Sequence, residues 1–129
     1  LESITIKLND LSLGWVCGLI EGEGSFNVYE DKRRSGTFNC KIQVESTDFD
    51  VIETLQDALG GRIWESNYPS KYKAFPNAKP SWRWAVSSKK ECESICNLIY
   101  PYMSKRRQEQ INKLKPYLKY KRKFKKIDN

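Results

Sequence analysis

Two acids two residues apart, Glu21 and Glu23, sit among glycines in the stretch Gly14 to Phe26, GWVCGLIEGEGSF. Leu11, Leu13, Trp15, Val16, Leu19 and Ile20 precede and overlap it at helical spacing, so a helix is expected over 10–21, capped by Asp10 or Ser12. Such a helix delivers both carboxylates at its C-terminal end. There they oppose the macrodipole, at a cost of a few tenths to about 1 kcal/mol. Gly14 and Gly18 fall on one helical face, each about 1 kcal/mol worse than Ala, a cost that close approach of a second helix would offset. Gly22 and Gly24 let backbone carbonyls come near a ligand. Acids held at an unfavourable helix end, in a chain otherwise suited to a polyanion, point to an oxygen-ligated metal.

The 129 residues contain no histidine, which excludes imidazole bases, imidazole metal ligands and Ser-His-Asp chemistry. Any hydrolysis must use carboxylates, lysines, water and a hard cation. Cys17, Cys40, Cys92 and Cys96 form no CxxC pair and read as free, mostly buried thiols in a reducing intracellular compartment. The length is that of one domain, and no apolar run approaches the roughly 20 residues a bilayer requires. The opening Leu1-Glu2-Ser3 shows no secretory signal, and the absent start Met is consistent with trimming.

The net charge is +7, and its distribution matters more than its size. Residues 113–126 hold eight basic residues and no acid, whereas the remainder is nearly neutral. The division expected is a domain over 1–112 and a basic C-terminal extension over 113–129, fit for a polyanion, with Tyr117, Tyr120 and Phe124 interleaved.

Residues 25–33 and 37–46 alternate as two strands of a hairpin turning at Ser35-Gly36. Phe38, Cys40, Ile42 and Val44 share one side; Asn39, Lys41, Gln43 and Glu45 share the other. Asp48 is expected to cap a helix over 49–59, stopped by Gly60-Gly61. A second hairpin pairs Arg62–Asn67 with Ser81–Ser87 around a long Pro- and Lys-bearing loop, 68–80, which carries Lys71, Tyr72, Lys73 and Lys79. Ser88 caps a helix over 89–99 that Pro101 breaks, and a last helix spans roughly 104–114, before Pro116. The order αββαββα with a further helix makes an α+β fold: a four-stranded antiparallel sheet with helices on one face. The other face is then polar: Asn27, Tyr29, Arg33, Asn39, Lys41, Gln43, Arg62, Ser66 and Arg83. Amide, hydroxyl and guanidinium groups of this kind read base edges in a major groove.

Val16 to Gly24, VCGLIEGEG, resembles the LAGLIDADG signature of homing endonucleases: hydrophobic, small, Gly, Leu, Ile, acid, small, acid and Gly fall in register. The resemblance extends over most of the chain through the ββαββα order. It implies a homing-endonuclease-like fold with a saddle-shaped sheet on DNA. It also implies a homodimer, because one motif is present, with a seam at Gly14, Gly18, Cys17 and Glu21. Glu23, with the carbonyl of Gly22, is implied to bind Mg²⁺ beside the scissile phosphate. Ser46 stands near the place of a polar water-positioning residue. Lys105, followed by Gln108, is similar to the family's Lys-x-x-Gln, and Arg106 is a rival for the cationic role.

The function expected is site-specific, Mg²⁺-dependent double-strand cleavage of a long pseudo-palindromic DNA target, leaving 3′ overhangs, by an intron-encoded enzyme of an organelle or of a bacterial or phage-infected cytoplasm. The other reading is a cleavage-inactive member that serves as an RNA-splicing maturase on intron RNA or as a DNA-binding regulator.

Overall fold

The computed structural model describes residues 8–66 and 80–118. The elements run α1 (Asp10–Glu23), β1 (Gly24–Glu30), β2 (Phe38–Ser46), α2 (Phe49–Leu59), β3 (Arg62–Glu65), β4 (Trp82–Val86), α3 (Lys89–Ile99), a 3-10 turn (Tyr100–Tyr102) and α4 (Lys105–Leu118). The strands form one antiparallel sheet in the order β1-β2-β4-β3. The helices pack on one side of it, so the α+β architecture expected from the sequence is present.

Alternation creates the two sides. Cys40, Ile42 and Val44 of β2, with Trp84 and Val86 of β4, are buried under the helices. They meet Val16 and Ile20 of α1, Ile52 and Leu55 of α2, Ile95 and Ile99 of α3, and Ile111 and Leu114 of α4. Each such aliphatic side chain contributes about 1.5–3 kcal/mol by leaving water.

Helix ends differ from expectation in four places, and the first is that α1 runs on to Glu23 rather than stopping at 21. The N-cap of α1 is Asn9, whose side chain accepts the Ser12 N–H at 2.8 Å, rather than Asp10 or Ser12; Asp10 becomes a first-turn acid. Asp48 occupies the N-cap of α2 but its carboxylate makes no capping bond. Ser88 does cap α3, accepting the Glu91 N–H at 3.1 Å. Finally, α4 does not stop before Pro116 but continues to Leu118, with Leu114 and Leu118 in the core and the Tyr117 ring 5.1 Å from Phe38. Apolar burial along that face outweighs the helix hydrogen bond that Pro116 removes.

Gly24 carries the chain out of α1 into β1 under tight constraint. A Cβ there would stand 2.8 Å from both the Ile20 side chain and its carbonyl oxygen. The expected loop over 68–80, apart from Pro80, and the basic residues from Lys119 onward, with Tyr120 and Phe124, lie outside the described residues. Among the described residues no helix is long and apolar enough to cross a membrane.

Candidate active site and nucleic-acid interface

The last turn of α1 meets the first turn of α4. The Glu21 carboxylate accepts the backbone N–H of Ser104 at 2.9 Å. Arg107 answers in the other direction: its Nε donates to the Glu21 carbonyl oxygen at 3.0 Å, and its Nη1 to Gln110 Oε1 at 2.8 Å. Arg107 as a whole residue is 6% exposed, and its guanidinium lies over the Phe26 ring. The Ser104 N–H, then the Ser104 hydroxyl, hold the Glu21 carboxyl below the usual carboxylate range. Burial, and then Arg106, push the Arg107 guanidinium down, while Glu21 and Glu23 pull it back up.

Glu21, which opposes the dipole of its own helix, is thus placed at the favourable, positive end of another. Glu23 is exposed, and among the described residues no hydrogen bond or salt bridge engages its carboxylate.

A cleft of about 420 Å³ opens beside it, lined by Leu19, Glu23, Glu45, Ser46, Thr47, Val51 and Ser81. Glu23 and Ser46, far apart in sequence, are therefore brought together. The Ser46 hydroxyl also accepts the Asp48 N–H at 3.0 Å. Lys105 opens α4 next to Ser104 and is exposed, outside the lining of that cleft. Gln108 is turned to the Tyr100 carbonyl, which accepts its side-chain N–H at 2.9 Å.

The outer sheet side carries Ser25 opposite Gln43, Asn27 opposite Lys41 and Tyr29 opposite Asn39, then Glu45 opposite Arg83, and Trp64 opposite Arg83 on the far strand. Arg62 continues this row and its guanidinium lies over Trp64. Lys41 reaches over Tyr29, its ammonium 5.9 Å from the ring centre. Two expected members sit differently. Arg33 belongs to the turn after β1, paired with Asp31 at 3.3 Å, and Ser66 is 6% exposed beyond the end of β3.

Several residues beside these sites were not foreseen. Glu45 and Ser81 share the cleft with Glu23; the Glu45 carboxylate accepts from the Ser81 hydroxyl and, at 3.3 Å, from Arg83. Trp64 was legible from alternation with Arg62. Arg107 carried a subtler signal: it falls on the stripe with Ile111, Leu114 and Leu118, a charge where the helix period asks for an apolar residue.

The side of α1 turned away from the core exposes Leu11, Gly14, Trp15, Gly18 and Gly22, with Leu11 75% exposed. A Cβ added at Gly14 or Gly18 would meet nothing within this chain. Cys17, expected at the same seam, is buried in its own chain's core, and Glu21, half-buried, is hydrogen-bonded to Ser104.

The model of the LAGLIDADG endonuclease family matches residues 16–128. A probable intron-encoded endonuclease of Dictyostelium citrinum is 30% identical over 125 residues, an alignment covering 91% of this chain and 47% of that protein. Among solved structures, the group I intron-encoded homing endonuclease I-CeuI complexed with DNA aligns at a TM-score of 0.68 and 13% identity, over 89% of this chain and 57% of that one. An archaeal intron-encoded homing endonuclease complexed with DNA aligns at 0.60 and 20% identity, over 79% and 64%. The chain thus spans about half the length of the curated relative and under two thirds of these structures. With the motif at the end of α1 and the family model covering nearly the whole chain, this protein belongs to the LAGLIDADG endonuclease family.

Proposed function

We propose that two copies of this chain form a site-specific double-strand DNA endonuclease, intron-encoded and acting inside the cell or organelle that houses its target. The observation that carries the reading is the position of Glu23: exposed, at the end of α1, in a cleft with Ser46, beside a polar sheet face. Family membership supports nuclease chemistry, and the DNA in the similar structures supports DNA as the partner.

The donor set fits a hard divalent cation. The cleft's polar lining is entirely carboxylate and hydroxyl oxygen, and Gly22 is exposed without a side chain to screen its carbonyl. Glu23 with the Gly22 carbonyl would hold Mg²⁺. Bound there, the cation supplies Lewis-acid charge to the scissile phosphate.

The chain's own residues do the rest. The Ser46 hydroxyl orients water at the cleft. Lys105, with Arg106 as the alternative, places positive charge toward the phosphate as negative charge grows on it. Attack of that water on phosphorus forms a new P–O bond and breaks the bond to the 3′ oxygen; the water's proton passes to solvent, the 3′ oxygen leaves as a hydroxyl, and each copy cuts one strand, giving 3′ overhangs. Asn27, Tyr29, Asn39, Lys41, Gln43, Arg62 and Arg83 present donors and acceptors to base edges, with Arg33 and Ser66 at the margins.

Contact between copies along Gly14 and Gly18 explains two glycines that the chain's own packing does not require. A two-fold dimer reads a pseudo-palindrome of roughly 20 bp, two turns at about 10.5 bp each.

The test is cleavage of a randomised duplex library in Mg²⁺, with the ends sequenced and Glu23→Gln run in parallel. Staggered, palindromic cuts that vanish in the variant are expected. A folded parent that binds nucleic acid but cuts nothing would overturn the nuclease reading and turn the search to intron RNA or to regulation of DNA.

A further inference from the structure

The contact between α1 and α4 is reciprocal. Glu21 reaches across to the N-terminus of α4 and engages the Ser104 N–H. Arg107 reaches back to the C-terminus of α1 and engages the Glu21 carbonyl. Each side chain caps the other's helix, at sequence separations of 83 and 86 residues. The first and last turns of a helix are where backbone groups lack partners, so these bonds fall where they are needed.

Energy alone gives a weak reason for this arrangement. Arg107 is a buried cation on an otherwise apolar stripe, and a well-packed apolar residue often serves stability as well or better. What the guanidinium adds is direction. Its Nε is committed to Glu21 and its Nη1 to Gln110, while its central carbon stands over the Phe26 ring of β1, 5.8 Å from the ring centre. One planar group therefore ties α1, β1 and α4 together at one point. Glu23 lies two residues beyond the tied carbonyl, and Lys105 follows the tied Ser104 N–H.

We propose that Arg107, with Glu21, is a positioning residue: the reciprocal cap sets the end of α1 that carries Glu23 against the start of α4 that carries Lys105. The inference rests on the nuclease reading for its catalytic consequence, but not for its structural one.

Arg107→Met should lower the single-turnover cleavage rate about 10- to 100-fold, the range typical for groups that orient metal ligands. DNA affinity in Ca²⁺ should stay within about 3-fold of the parent, because the sheet face is untouched. Lys105→Ala should cost less in the Arg107→Met background than in the parent, since a displaced lysine has little left to lose. Arg107→Lys, which keeps one donor for the Glu21 carbonyl but not the fork, should fall between and serves if the Met variant folds poorly.

A second readout needs neither DNA nor metal. Backbone ¹⁵N order parameters of Glu23 and Lys105 should drop together in the variant, from about 0.85 toward about 0.6, while the middles of α1 and α4 keep theirs. Unchanged order parameters, parent-like cleavage, or full additivity with Lys105→Ala would each overturn the proposal. If the parent cuts no DNA, the nuclease reading falls alone and the order parameters decide the cap.

Discussion

The indole Nε1 of Trp84 donates to the carbonyl oxygen of Gly60 at 2.6 Å, joining the turn after α2 to the buried side of β4. Gly60 and Gly61 both hold positive φ, +74° and +96°, so α2 ends and β3 begins within two residues. Trp84 is fully buried and lies opposite Ile63. The bond thus sets the height at which β3 enters the sheet.

Gly61→Ala is expected to destabilise the fold by about 2–4 kcal/mol. Its Cβ would stand 2.6 Å from that indole nitrogen and 2.9 Å from the Ala85 carbonyl oxygen, on backbone that L residues rarely adopt. Urea unfolding measures it; an unchanged midpoint would contradict this packing.

Gly18→Leu should behave in the opposite way. Nothing in the chain crowds that position, and a better helix former gains up to about 1 kcal/mol there. Sedimentation should nevertheless show single copies, with normal circular dichroism. A dimer that survives the leucine would remove the interface proposed along α1.

The four thiols should be inert in the native state. All are buried, and desolvation pushes Cys92 and Cys96 up to about 12. Colorimetric titration at pH 8 should find none reactive before denaturant and all four after. The linkage has a definite sign: a raised thiol pKa favours the fold fully below the ordinary 9.0, and that contribution is lost as pH rises toward about 12. Alkaline unfolding curves of Cys92→Ala should accordingly flatten in that window.

Lys41→Ala tests the outer sheet face. If its ammonium meets a phosphate, the slope of log affinity against log salt should shrink by about 0.9. A base-edge contact would instead relax preference at one target position and leave the salt slope nearly unchanged. An unaltered slope together with unaltered preference would place Lys41 outside the interface.

Strand alternation and helix periods were legible because local pattern governs them. Cys40, Ile42 and Val44 faced the core as their spacing required, and Ser88 capped its helix. What escaped was set by distant partners. Asn9 outcompeted Asp10 and Ser12 by a geometry that no propensity ranks. α4 passed through Pro116 because Leu114, Tyr117 and Leu118 had a core to reach. Glu23 and Ser46 were singled out separately, through a family resemblance, and the fold puts them in one cleft. Both acids at the end of α1 oppose their helix dipole, but α4 offsets the cost for Glu21 through the Ser104 N–H, a relation no local pattern displays. Arg107 showed only as a charge on an apolar stripe; the partner that explains it lies 86 residues away.

The alternation of β2 has a consequence for inheritance. Cys40, Ile42 and Val44 build the interior, while the residues that alternate with them, Asn39, Lys41, Gln43 and Glu45, look outward. A point mutation on the outward set changes what the surface offers to a partner and leaves the interior intact. Inserting a single residue would exchange the two sets and ruin both. Substitution on that surface can therefore change what it recognises without cost to the core, whereas a change in strand length cannot.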